Sequence, residues 1–164
     1  MPKLSLSVLS LMLLASANIM ATEEQPTDAI IVTKSDAQAA VQGNSQNFTG
    51  DVTIDNPFRA EPPSRAYGAT VSFEPGARTA WHTHPLGQLL IVTEGIGCVQ
   101  SWGEPLQIIK AGDTVWIPAD IKHWHGAAPD SAMTHVAIVE SLNGQGVTWL
   151  ERVSDEQYAT ANRQ

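Results

Sequence analysis

Phe73-Glu74-Pro75-Gly76-Ala77-Arg78-Thr79-Ala80-Trp81-His82-Thr83-His84-Pro85-Leu86-Gly87-Gln88 is the stretch that decides how this chain folds. A Pro-Gly turn opens it, an extended run follows, and His82 and His84 stand two residues apart. Successive side chains on a strand point to opposite faces, so these two imidazoles share one face. Pro85-Leu86-Gly87 signals a second turn, and a strand–turn–strand path brings Gln88 back beside the pair. All five histidines of the chain lie between His82 and His135. His123 and His125 repeat the two-residue spacing, and His135 sits in the apolar run Met133–Ile138. One histidine alone is usually a surface or satisfied core residue. Two such pairs on adjoining strands aim imidazoles into one barrel interior, and imidazole is the commonest protein ligand for metals. The spacing therefore predicts metal binding.

Outward from this stretch the pattern stays the same. Short runs rich in β-branched and aromatic residues cover Asp51–Ile54, Tyr67–Phe73, Thr79–His84, Gln88–Thr93, Gly97–Trp102, Leu106–Lys110, Thr114–Ile117, Ala132–Glu140 and Val147–Arg152. Turn residues separate them at Glu74-Pro75-Gly76, Glu94-Gly95, Gly103-Glu104-Pro105, Ala111-Gly112-Asp113 and Asn143-Gly144. Strands at this spacing predict an all-β sandwich or barrel. Ser154 and Gln157 form a capping box for a short helix over Asp155–Asn162.

The first 21 residues read as a secretory signal peptide. Lys3 precedes an apolar run, Leu4–Leu14, and small residues allow cleavage after Ala17 or Ala21. The run is too short for a spanning helix, which needs about 20 apolar residues. The expected protein is therefore exported, periplasmic or secreted, and free of the membrane after cleavage. Residues 22–47 are polar and read as a linker, with a short helix near Asp36–Val41. Residues 48–158 form the expected domain and 159–164 a tail. A length of 164 residues suits one domain. A net charge of −8 without a basic, aromatic-interleaved patch argues against nucleic-acid binding. The single cysteine, Cys98, cannot make an internal disulfide or a thiolate-rich zinc site, so any metal is held by nitrogen and oxygen.

Gly76, His82, His84, Gln88 and Gly95 stand at the spacing of the first cupin motif, and Gly112, Pro118 and His123 at that of the second. The chain thus resembles the cupins, which fold as a double-stranded β-helix, or jelly-roll barrel. Gln88 stands where that pattern normally has Glu, Asp120 where it has Gly, and Ala127 where it has Asn. Asp tolerates a left-handed turn better than most residues. Residues 73–88, Lys122-His123-Trp124-His125-Gly126-Ala127-Ala128-Pro129 and Ala132-Met133-Thr134-His135 are similar to the small bacterial manganese cupins that act as hydroxynitrile lyases. That resemblance implies metal ligation by His82, His84, Gln88 and His123. It implies a base at His135, a substrate-orienting hydroxyl at Thr79 and pocket walls at Ala69 and Val71. Val139 stands at a pocket position where the best-known relative has Gln. His125 either lines the pocket or points away. Trp116 and Met133, with Trp81, are further candidates for its wall.

Three imidazoles and an amide leave a divalent ion close to its full charge, so it would attract anions and polarise oxygen strongly. Four protein ligands leave two open octahedral positions, which favours Mn2+ or Fe2+. Zn2+ fits a tighter geometry, and Ni2+ or Co2+ are also compatible. The implied activity is reversible cleavage of a cyanohydrin, a small-molecule substrate such as mandelonitrile, to aldehyde and cyanide. A Mn or Fe dioxygenase or oxidase, and a non-catalytic metal- or ligand-binding module, are the alternatives. A homodimer or homotetramer is expected through the exposed sheets.

Overall fold

The computed structural model describes residues 29–161. The expected signal peptide lies outside them. Twelve strands and one helix form among the described residues: β1 (Val41–Gln42), β2 (Phe48–Thr49), β3 (Val52–Arg59), β4 (Ala66–Phe73), β5 (Arg78–Thr79), β6 (His82–Thr83), β7 (Gln88–Ser101), β8 (Gln107–Lys110), β9 (Thr114–Ile117), β10 (His123–Ala127), β11 (Met133–Glu140), β12 (Thr148–Trp149) and α1 (Asp155–Ala161). Every pairing is antiparallel, in the order β1-β3-β4-β11-β7-β10-β5-β2, with β8 and β9 also on β7, and β6 joining β10 to β12.

Strand β7 makes this one curled sheet. Its first half pairs with β11 and β9, and its second half with β10 and β8. The sequence marks a turn at Glu94-Gly95, but the strand runs through it. The register slips between Thr134 and His135 of β11, which leaves Thr93 as an extra residue. Gly95 adopts φ 70°, and a side chain there would overlap the Ala132 carbonyl. A bulge followed by a glycine bends a strand without ending it, and here it carries β7 from one wall of the barrel to the other.

The registers stack the inward side chains of the β4–β11–β7–β9 wall in layers. Tyr67, Val139, Gln88 and Ile117 form one row, and Ala69, Ala137, Leu90 and Val115 the next. Val71, His135 and Val92 follow, then Phe73 and Met133 at the far end. That end is filled by the main core cluster, with Val52, Val99, Ile109 and Ala127 among its members. The Ala69–Ala137 row is narrow, and space opens there.

The outer face of β10 is covered by α1. Trp124 is buried with Trp81, Cys98, Val153 and Tyr158 in a second cluster. Tyr158 donates its hydroxyl to the Ala127 carbonyl at 2.8 Å, and Arg78 donates to the Val153 and Gly76 carbonyls and to Asp155. The Ser154–Gln157 capping box closes in both directions, at 2.8 and 3.1 Å. By contrast, no helix forms near Asp36–Val41. A turn closed by Ala37 N–H on the Lys34 carbonyl leads into β1. These residues are exposed and pack no apolar face, and so short a helix does not hold alone.

Candidate active site

The four ligands implied by the sequence motifs arrive from three strands and a loop. His82 lies on β6, His84 in the loop after it, Gln88 at the start of β7 and His123 on β10. His82 and His123 are register partners with ring centroids 4.2 Å apart, and His84 lies 5.1 Å from His82. The main chain fixes each imidazole. Nδ1 of His82 donates to the Ala80 carbonyl at 2.9 Å, Nδ1 of His84 to Gly146 at 2.6 Å and Nδ1 of His123 to Ile121 at 2.8 Å. A neutral ring that donates through Nδ1 carries its lone pair on Nε2, the tautomer a metal ligand needs. Asp120, at φ 60°, donates its N–H to the His84 carbonyl at 2.9 Å, so the second motif's loop is tied onto the first.

Two features of this cluster fit a cation. Gln88 Oε1 lies 3.0 Å from His123 Nε2. With Nδ1–H engaged at Ile121, His123 Nε2 offers a lone pair at the Gln88 amide, and the pair of acceptors Nε2 and Oε1 suits a cation, just as a flipped amide would donate N–H to the ring. His84 Nε2 is buried without a partner. Among the described residues four buried side-chain atoms lack partners, and three of them are here: His84 Nε2, His125 Nε2 and His135 Nδ1. Native interiors satisfy nearly all such groups, so their concentration at one place marks a binding site.

His125 and His135 extend the cluster inward. His135 Nε2 and His125 Nδ1 share a hydrogen bond of 3.2 Å, so one ring donates and the other accepts. If His135 donates, His125 Nε2 carries a proton and His135 Nδ1 a free lone pair. If His125 donates, the assignments exchange. The pair always presents one base and one donor. Thr79 Oγ1 accepts the His125 backbone N–H at 3.2 Å, which leaves its own proton free for a further acceptor.

All of this borders a cavity of about 240 Å3. Thr79, Ala69, Val71, Val139, His125 and His135 line it, together with His82, His84 and Gln88. His123 touches Gln88 and does not line the cavity. Trp116 and Met133 do not line it. Val115 and Ile117 point inward on β9, so Trp116 alternates outward, 61% exposed and folded over Gly87. Met133 faces inward but lies at the filled end, against Gly97. Trp81 is beneath α1. The aromatic wall is instead Trp149, whose ring lies 4.8 Å from His82, with Phe48 edge-on against it at 5.7 Å. Tyr67 and Val147 complete the rim. Composition gave no signal for Trp149 or Tyr67, because only the closing of β12 onto β6 and of β4 onto β11 brings them here.

The Cupin domain profile matches residues 69–139. A protein named (R)-mandelonitrile lyase from Granulicella tundricola is 57% identical over 122 residues, which are 74% of this chain and 93% of the relative. The chain belongs to the cupin family. A cupin-like protein from Thermotoga maritima has a similar structure, with TM-score 0.70 and 41% identity over 76% of this cupin and 94% of that chain. A polyketide cyclase from Streptomyces resistomycificus shares the fold at TM-score 0.61 and 13% identity, over 79% and 91% of the two chains. The histidine cluster of this cupin can hold a metal ion. Ligand atoms of His82, His123 and His125 all lie within 4.8 Å of one another, and His84 and Gln88 border the same space.

Burial holds these imidazoles neutral. It pushes His123 and His135 down to about 4 and lowers His82, His84 and His125 as well. Unfolded histidines titrate near 6.5. Between these values the unfolded chain binds more protons than the folded one. The stability gained by keeping the rings neutral is therefore complete above pH ~6.5 and drains away toward pH ~4. Metal-free protein is expected to lose on the order of a few kcal/mol of stability from pH 7 to pH 4.5. Urea titrations at the two pH values check this, and an unchanged midpoint would contradict neutral burial.

Proposed function

We propose that this cupin is a metal-dependent lyase of the hydroxynitrile type, cleaving cyanohydrins reversibly to an aldehyde and hydrogen cyanide. The observation that carries the reading is the juxtaposition of an uncharged N/O ligand cluster, a buried neutral histidine pair and an apolar cavity, in a chain 57% identical to a mandelonitrile lyase. His82, His84, Gln88 and His123 would hold one divalent ion, Mn2+ by preference. Bound there, it supplies positive charge that stabilises oxygen and cyanide as negative charge develops on them.

The chain's own residues account for the rest. The apolar walls Ala69, Val71 and Val139 seat the organic group of the substrate. Thr79, with one hydroxyl lone pair taken by the His125 backbone N–H, donates its proton to the substrate oxygen and orients it. In the tautomer in which His135 Nε2 donates to His125, His135 accepts the hydroxyl proton at Nδ1 and His125 Nε2–H is the donor of the pair. The carbon–cyanide bond breaks, its electron pair leaves with cyanide, and the O–H pair becomes the carbonyl. Cyanide then takes the proton from His135, which returns to neutrality. Burial keeps the His135 ring neutral at pH 7, so its lone pair is available, at the cost of some basicity that charge developing beside it in the reaction must offset.

The protein is further read as exported by residues 1–21 and assembled as a homodimer or homotetramer. Purified protein reconstituted with Mn2+ is expected to cleave mandelonitrile at the same rate with and without dioxygen, and to stop when a chelator strips the metal. Activity that requires dioxygen would replace the lyase by an oxygenase, and activity that survives chelation would remove the metal from the mechanism.

A further inference from the structure

We propose that Tyr67 is the specificity-determining residue of this cavity, a fixed aromatic wall that limits the substrate to one ring. The inference rests on the reading that the cavity receives the substrate. Tyr67 stands in the same inward row as Val139 and the ligand Gln88, one strand and two strands away respectively. It is half-buried and lines the cavity, while the exposed Arg59 guanidinium lies over its ring at 4.6 Å. One side of the ring therefore meets solvent and Arg59, and another bounds the cavity, so Tyr67 forms the boundary between them.

The ring cannot swing aside freely. Its hydroxyl end lies against the backbone of Gly146, so closely that a methyl group on that residue would overlap both the hydroxyl and the ring. The Gly146 carbonyl is in turn engaged by His84 Nδ1 at 2.6 Å. Tyr67 is clamped between the Arg59 side chain and a loop anchored to the metal cluster. Stacking on a guanidinium adds to this restraint.

The space behind this wall is about 240 Å3. A dry cavity of about 150 Å3 accepts benzene, and drug-sized ligands occupy about 300–1,000 Å3. One aromatic ring with its reacting carbon fits, and a fused second ring has to take its room from the side that Tyr67 closes. Across the floor the Ala69–Ala137 row already provides all the room its small side chains can give; Trp149 and Phe48 close the side next to His82, and Tyr67 is the large side chain that closes the side next to Val139 and Arg59.

The test uses Mn2+-loaded protein and two unreactive anions, benzoate and 2-naphthoate, titrated calorimetrically. The wild type is expected to bind benzoate at least tenfold more tightly than 2-naphthoate. Tyr67→Ala should bring the two Kd values within about threefold, and Tyr67→Leu, which keeps an apolar core contact, should move the ratio the same way. Tyr67→Phe should keep the wild-type ratio, because the ring and not the hydroxyl forms the wall. A ratio is unaffected by partial metal loading, since both probes see the same sites. An absence of discrimination in the wild type, an unchanged ratio in both Tyr67→Ala and Tyr67→Leu, or a lost ratio in Tyr67→Phe would each overturn the proposal. Mandelonitrile cleavage measured in parallel separates the two readings. An active wild type with an unchanged ratio sinks the role of Tyr67 alone, and an inactive wild type with the expected ratios sinks the lyase alone.

Discussion

Alanine at His82 or His123 is expected to abolish stoichiometric metal binding and to lower kcat/KM for mandelonitrile by ~10³-fold or more, the rate equivalent of losing several kcal/mol of charge stabilisation. These two rings face one another across β6 and β10, and each presents Nε2 to the same small volume. Removing either takes away a ligand and leaves the carbonyl that held it, Ala80 or Ile121, short of a donor. The orphaned carbonyl costs about 1–3 kcal/mol of stability, so circular dichroism must accompany metal analysis to separate a lost ligand from a lost fold. A folded variant with alanine at positions 82, 84 and 123 that still bound one equivalent of metal at the original affinity would refute the assignment.

His135→Ala is expected to behave differently. Metal content should remain at one equivalent while kcat falls roughly 10²–10⁴-fold, the span of a general base. His135 meets the cluster through a 3.2 Å hydrogen bond to His125, and the Phe73 ring packs on it at 5.5 Å. Its loss therefore deletes a proton acceptor without deleting a ligand. Added imidazole should restore part of the rate, because the vacated space is next to the cavity. A variant that cleaves mandelonitrile at the wild-type rate with metal bound would transfer the base role to His125.

The histidine cluster was legible because period-two spacing is a strong geometric statement. Once His82 and His84 share a face, and His123 and His125 share another, only the pairing of β6 with β10 is needed to bring them together. The capping box at Ser154 was legible for a similar reason, as both partners lie within one turn. Distance in sequence is where legibility ends. The turn expected at Glu94-Gly95 is a bulge because Ala132, far along the chain, lies beside it and holds the strand in pairing. The inward or outward setting of Trp116 depends on a pleat phase that only its partner strand fixes. Met133 has the right face but the wrong depth, and depth along a barrel is a property of registers, not of alternation. Strand β10 is buried on both sides, between the barrel interior and α1, so the polarity alternation that betrays a half-exposed strand is missing there.

The three Nδ1 anchors are all peptide carbonyls, groups that no substitution of a neighbouring side chain can delete. The imidazole cluster is thereby insulated from Ala69, Val71 and Val139, which shape the chamber beside it, though not from Tyr67, which is braced on Gly146. Evolution, or an engineer, is free to exchange residues at 69, 71 and 139 and so reshape the chamber, while the histidines at its heart are inherited intact.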